Sequence, residues 1–342
     1  MNDHDTRCLA PCQYICFGGT APLCHNPRHR APSWQPVQWE ILRKDGNAVG
    51  ELFSVLAAVI WAMAVIFLRK SGEHVSPFAL NLFRVAVTAP LFILTLVAAG
   101  QPILSGAPLS DYLILFASGI IAIAISDTLL HKSLNMIGAG LSAITGCLYP
   151  PFVTVMAFLM IDEKLGPWQF VGMGLVAAGV IVTAKHKPPE GASRRQIALG
   201  VMWGILAMAT VALGIVIAKP VLVRSSVLWA TAMRQVGSLA VLLPAAIVLP
   251  RYRKSFAVFK PSASWKSALP ATLLGSYFAL MAWITGMKYT LTGVASILNQ
   301  TSTVFILLFA TLILKEPFTR RKLIAVALAI TGIIVVTLAP SP

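Results

Sequence analysis

The sequence predicts an all-α integral membrane protein with ten transmembrane helices arranged as two inverted five-helix repeats. Apolar residues make up 57% of the 342 positions and charged residues 11%, about half the charged share of a soluble protein. Apolar runs long enough to cross a bilayer follow one another along the chain, and one membrane segment occurs twice. Together these observations exclude a water-soluble globular fold.

Ten apolar runs of roughly 17 to 24 residues can be marked off, each about long enough to cross the hydrocarbon core. Because backbone polar groups must be paired inside lipid, and because the runs lack strand-like alternation, we predict that they are helices. They lie near residues 52–68, 77–99, 112–134, 138–161, 168–184, 197–218, 227–249, 268–287, 292–314 and 320–338.

An internal repeat divides these spans into two sets of five. Three positions of the first copy recur in the second, each 153 residues later: Gly140 as Gly293, Glu163 as Glu316 and Gly179 as Gly332. Further upstream, Arg84 of the first copy corresponds to Arg234 of the second. An odd number of crossings makes the second unit enter the membrane from the opposite side, so the copies are inverted, as in carriers that open alternately to either side.

The predicted organisation has four parts. Residues 1–50 are polar and rich in Pro and Cys, and we expect a disordered tail. Residues 51–185 form the first repeat, 186–196 a charged linker with Pro and Gly, and 197–339 the second repeat. Four of the five cysteines lie in the tail, but their spacing matches no metal motif, so we assign no metal and no cofactor.

The formal net charge of +15 comes mostly from lysines and arginines in short loops between spans. This pattern is typical of membrane orientation and not of a nucleic-acid surface. The loops after the odd-numbered spans carry most of the positive charge, which would place them in the cytoplasm and both termini outside.

The two copies resemble the EamA repeat of the drug/metabolite transporter superfamily. The resemblance covers residues 51–339 and rests on Gly in the fourth span, Glu just after it and a second Gly sixteen residues beyond, repeated in register. The first copy also has Pro150 thirteen residues before its Glu, where the second has Thr303. The resemblance implies a carrier or exporter of small metabolites, often amino acids, with cytoplasmic termini. That orientation disagrees with the loop charges, so orientation stays open.

Asp127 is the acidic residue placed well inside a span, and ionisable groups at such depth are functional candidates. Arg84 lies in the second span at a depth of roughly 10 Å, similar to that of Asp127, so the two can form an ion pair. Asp127 would then either bind a proton or a substrate amine, or only lock two helices together. Arg234 corresponds to Arg84 in the second repeat, but the position that corresponds to Asp127 falls near Trp283, where there is no acidic residue. Arg234 would therefore either hold a carboxylate or phosphate, or extend towards the interface.

Other candidates are polar or aromatic groups within spans. Tyr149, Pro150 and Pro151 mark a helix break in the fourth span, where freed carbonyls can line a substrate site. Asn299 and Gln300 begin a polar band in the ninth span, which would face either a neighbouring helix or a ligand. Trp61 and Trp283 could wall a cavity.

Glu163 and Glu316 are interpreted differently. Each follows a span and precedes the next helix, beside Pro167 or Pro317. We expect both carboxylates to cap the helix that follows them in the chain.

The resulting hypothesis is a monomer-sized secondary carrier, with a homodimer left open, for a small organic solute. It would sit in the plasma membrane, the inner membrane if bacterial, and act as an exporter driven either by a proton or by the solute's own gradient. Its partners would be the solute, the lipid bilayer and, in the first case, protons as coupling ion. No Gly-rich phosphate loop is present, which argues against direct ATP drive. No interfacial His/Asp/Glu cluster points to an enzyme. The alternative is a flippase for a lipid or lipid-linked sugar.

Overall fold

A computed structural model describes residues 46–161, 167–184, 193–289, 298–317 and 319–338. These residues are helical throughout, with short turns and no strand among them. Most of the N-terminal tail, residues 186–192 of the linker, Glu163 and Gly293 lie outside the described residues. The helices are α1 Gly46–Ser71, α2 Pro77–Ala98, α3 Leu109–Gly119, α4 Ser126–Gly146, α5 Tyr149–Ile161, α6 Pro167–Ala184, α7 Arg194–Arg224, α8 Val227–Val248, α9 Trp265–Ala271, α10 Leu280–Tyr289, α11 Ser302–Ile313 and α12 Arg320–Leu338.

Six helices within the described residues are long and apolar enough to cross a membrane, and three further apolar helices are shorter. Local sequence sets several helix starts. Ser76 accepts a hydrogen bond from the backbone N–H of Ala79 and is followed by Pro77 at the first helical position of α2. Ser193 caps α7 in the same way.

The third and fourth predicted spans are not joined by a loop. Helix continues on both sides of a kink between Leu109 and Gly146. A single straight helix of these 38 residues would be about 57 Å long, nearly twice the hydrocarbon thickness. The backbone breaks at Gly138, whose φ of 78° is accessible to glycine at little cost. The prediction placed this boundary between residues 134 and 138, and the observed break at Gly138 lies at the end of that interval.

Each half also contains one short π-helix in its third predicted span. The first, π1, covers Ile120–Ile125 between α3 and α4, and the second, π2, covers Thr272–Ala279 between α9 and α10. A π-helix leaves carbonyls without their usual partners. The amide of Asn81 in α2 donates to the carbonyls of Ile123 and Ala124, at 2.9 and 3.1 Å. A buried side chain therefore stabilises π1.

Packing takes place mainly between the halves, and the contacts are reciprocal. Helix α6 lies against α12, and α2 against α8. Helix α7 of the second half packs on α4 and α5, while α1 of the first half packs on α10 and α11. Gly179 and Gly332 permit the closest approach of α6 and α12, because a β-carbon on Gly179 would lie 2.8 Å from the carbonyl oxygen of Ala325.

Candidate functional site

One cavity of about 230 Å³ lies between the two halves, near the lower limit for sites that bind small molecules. All eight residues predicted as substrate or coupling candidates line it. They are Trp61, Arg84, Asp127, Tyr149, Arg234, Trp283, Asn299 and Gln300. These residues come from seven different predicted spans, and the fold brings them to one place.

The predicted ion pair between Arg84 and Asp127 is present. Arg84 Nη1 lies 3.3 Å from Asp127 Oδ2, with the arginine side chain 3% and the aspartate side chain 19% exposed. Arg84 also donates from Nε to Ser276 Oγ at 2.8 Å and from Nη1 to Nε2 of His131. Because a guanidinium can only donate, Nε2 of this buried histidine is the acceptor and its proton lies on Nδ1.

Arg234 occupies the matching place in the second half but has different partners. Its Nε donates to Ser118 Oγ at 3.0 Å, just as Arg84 Nε donates to Ser276 in the opposite half. Arg234 Nη1 is buried and makes no hydrogen bond with the described residues. Among the described lining residues, the charged ones are Arg84, Asp127 and Arg234, so the cavity carries one formal positive charge beyond the pair.

Aromatic rings from both halves form part of the cavity wall. Tyr149 and Trp283 meet edge to face with ring centroids 6.4 Å apart, and Trp61 lines the cavity from α1. Aromatic side chains offer large apolar surfaces with few internal degrees of freedom. The wall is therefore suited to a flat or apolar group, next to a cation.

The fourth span is interrupted at Cys147 and Leu148, just before the two prolines, which occupy the first turn of α5. The ninth span is interrupted as well: residues 298–300 are helical, Thr301 forms a turn and α11 follows. Thr301 needs no proline, because its hydroxyl donates to the carbonyl of Leu298 at 2.5 Å and competes with the helix ladder.

Glu316 caps a helix, but not the predicted one. Its Oε1 accepts from the backbone N–H of Ala139 at 2.8 Å and its Oε2 from that of Gly140 at 3.1 Å. These amides follow the Gly138 break in the first half, and Lys322 adds an ion pair at 3.4 Å. The free amides of this broken helix attract the carboxylate. The prediction that Glu316 caps its own following helix was therefore wrong.

Four buried polar residues were not among the predicted candidates: Asn81, Ser118, His131 and Ser276. A further missed residue, Gln235, lines the cavity beside Arg234, and its Oε1 is buried without a hydrogen-bond partner among the described residues. Their signal was a polar residue inside an apolar span, but hydroxyls and amides in membrane helices often bond to their own backbone. Which of them face the arginines depends on helix rotation.

Comparison with known proteins assigns the class. The model of the EamA-like transporter family matches residues 48–185 and 198–338. The chain belongs to the EamA-like transporter family, and it is a multi-pass integral membrane protein of the transporter class.

Two curated relatives are both described as uncharacterized transporters. One, from Clostridium kluyveri, is 24% identical over 136 residues, covering 40% of this chain and 44% of the relative. The chain thus spans less than half of that relative. The other, from Archaeoglobus fulgidus, is 23% identical over 291 residues, covering 82% of this chain and 96% of the relative. A solved crystal structure matches with a TM-score of 0.63 at 17% identity, over 85% of this chain and 97% of that one, which shows a shared fold.

Proposed function

We propose that this protein is a secondary carrier that exports a small organic metabolite, such as an amino acid or a related compound, across the plasma membrane. The proposal rests mainly on the cavity between the halves, which is lined by an ion pair, an incompletely bonded arginine and three aromatic rings. Buried charges inside a membrane protein are costly and mark solute or proton pathways. A cavity of this size suits a small solute better than a lipid or lipid-linked sugar.

The proposed architecture is ten spans in two inverted repeats that exchange access to the cavity. Reciprocal packing supports it, since the main helix-to-helix contacts between halves have counterparts with the roles of the halves exchanged. The two π-helices and the exchanged arginine-to-serine bonds support it too. Such repeats move largely as rigid bodies around a central site.

Glu316 provides the contact that would have to break for one end of the cavity to open. It ties the chain just before α12 to the start of the helix after Gly138. Ser142 and Ala143, which line the cavity, lie on that same short helical stretch. We therefore assign Glu316 to a closing contact. The repeat gives Glu163 the corresponding sequence position in the first half.

The experiment is uptake into proteoliposomes across a panel of amino acids, organic acids and amines, with and without a pH gradient. If the protein is a carrier, at least one solute should enter these vesicles faster than it enters empty vesicles. If transport is coupled to protons, the pH gradient should change the rate of uptake. Absence of movement for every solute, with the reconstituted protein shown to be folded, would contradict it. Faster movement of labelled lipid between leaflets instead would favour a flippase.

A further inference from the structure

We propose that Arg234 is the binding site for a carboxylate group of the transported solute, so that the preferred solute is an organic acid with an apolar, flat body. This inference rests on the proposed carrier function, because it takes the cavity as the solute site. It goes further by assigning the solute a carboxylate group. It also assigns different roles to the two corresponding arginines, since Arg84 pairs with Asp127 and Arg234 binds the solute.

The two arginines occupy matching positions and are held in the same way. Both lie at the eighth position of their helices, α2 and α8, and both are 2% exposed. Each is fixed at Nε by a serine of the opposite half. One end of each guanidinium is thereby held in place, and the remaining N–H groups are left to define the chemistry of the cavity.

The two arginines differ in the carboxylate groups beside them. Arg84 has Asp127 at 3.3 Å, so its charge is compensated within the protein. No carboxylate of the described residues forms an ion pair with Arg234, and its Nη1 has no hydrogen-bond partner there. Asp127 also attracts Arg234 electrostatically, but its single charge is shared with Arg84. Two buried cations therefore face one carboxylate, and a bound anion would compensate the remaining positive charge. One carboxylate would make the cavity neutral.

The shape of the arginine head group and the lining around it match an organic acid. A guanidinium presents parallel N–H groups that match the two oxygens of a carboxylate. Gln235 lies next to Arg234 and lines the same cavity, with polar atoms able to bond a ligand. Trp61, Tyr149 and Trp283 line the cavity as well and would contact the body of the solute. The acid group and the apolar group thus have separate places.

The test uses three compounds with the same phenyl body and different head groups: 3-phenylpropanoate, its neutral amide, and 2-phenylethylamine. Binding to the purified full-length protein is measured by titration calorimetry. We expect the acid to bind, and the amide and the amine to bind at least about 30-fold more weakly, because losing one partner of a buried charge pair has effects of this size. This comparison on the unaltered protein needs no variant.

Variants then localise the contact. Arg234→Gln should weaken binding of the acid at least about 30-fold, and Arg234→Lys, which keeps the charge, should retain part of the affinity. Arg253→Gln, an exposed arginine outside the cavity, is the matched control and should bind like the unaltered protein. Thermal unfolding of each variant shows that it is folded.

Three results would overturn the inference: equal binding of the amide or the amine, unchanged binding of the acid by folded Arg234→Gln, or no binding of the acid at concentrations on the order of 10 mM. Transport separates this inference from the carrier function. If vesicles move only solutes that lack a carboxylate group, the carrier stands and the carboxylate site falls. If the acid binds through Arg234 but no solute moves, the site stands and the carrier function falls.

Discussion

Replacing Asp127 with asparagine tests whether the buried ion pair only holds two helices together. The substitution keeps the size of the side chain but leaves Arg84 without a counter-charge. Removing one partner of a buried pair typically costs about 3–5 kcal/mol. Asp127 is 19% exposed, and Arg84 keeps its bonds to Ser276 and His131. We therefore expect a smaller loss, about 2–3 kcal/mol in the free energy of unfolding.

A double-mutant cycle measures the pair directly. The single variants Asp127→Asn and Arg84→Gln and the double variant are unfolded in mixed micelles with increasing denaturing detergent, followed by tryptophan fluorescence. The double variant should be less destabilised than the sum of the two single variants by at least about 1.5 kcal/mol, because the groups are in contact. Strictly additive losses would refute the stabilising pair.

The same variant answers the functional question. If Asp127 binds the coupling proton, Asp127→Asn should abolish the effect of a pH gradient on uptake while the protein stays folded, because an amide cannot be ionised. Uptake that responds to the gradient as in the unaltered protein would remove Asp127 from the coupling mechanism and leave it a structural role.

The remaining predictions concern contacts outside this pair. Glu316→Gln keeps the shape of the side chain but weakens the charge-assisted bonds to two backbone amides, so labelling of an engineered cysteine at Ser142 should become faster. Glu73→Gln, which changes an exposed acid, is the control. Unchanged labelling of the Glu316→Gln variant would contradict the closing contact. Asn81→Asp cannot donate to the π1 carbonyls and should lower the free energy of unfolding by at least about 2 kcal/mol; unaltered stability would show that π1 does not need this amide. Gly332→Ala places a β-carbon 2.5 Å from the carbonyl oxygen of Gly172 and should lower the thermal midpoint, whereas an equal or higher midpoint would contradict tight packing of α6 on α12.

Helix rotation explains why some site residues were predictable and others were not. Asp127 and Arg84 stood out because a charge inside an apolar span is rare, wherever the helix turns. Asn81 and Ser276 are ordinary in a membrane helix, and only the packing of α2 against the two π-helices shows that they hold the first arginine and its surroundings. The role of Glu316 was missed because its partners, Ala139 and Gly140, are 177 and 176 residues away in the chain.

The sequence by itself determined the membrane class, the repeat and the eight cavity candidates, because hydropathy, repetition and buried charge are properties of the chain alone. Only the tertiary structure decided that the candidates share one cavity, that Arg84 is compensated while Arg234 Nη1 lacks a partner among the described residues, and that Glu316 binds the opposite half. The physical reason is that charge compensation depends on distances of a few ångströms between different helices. Two arginines at matching positions of a repeat are alike in sequence, and they differ through the groups that the fold places beside them.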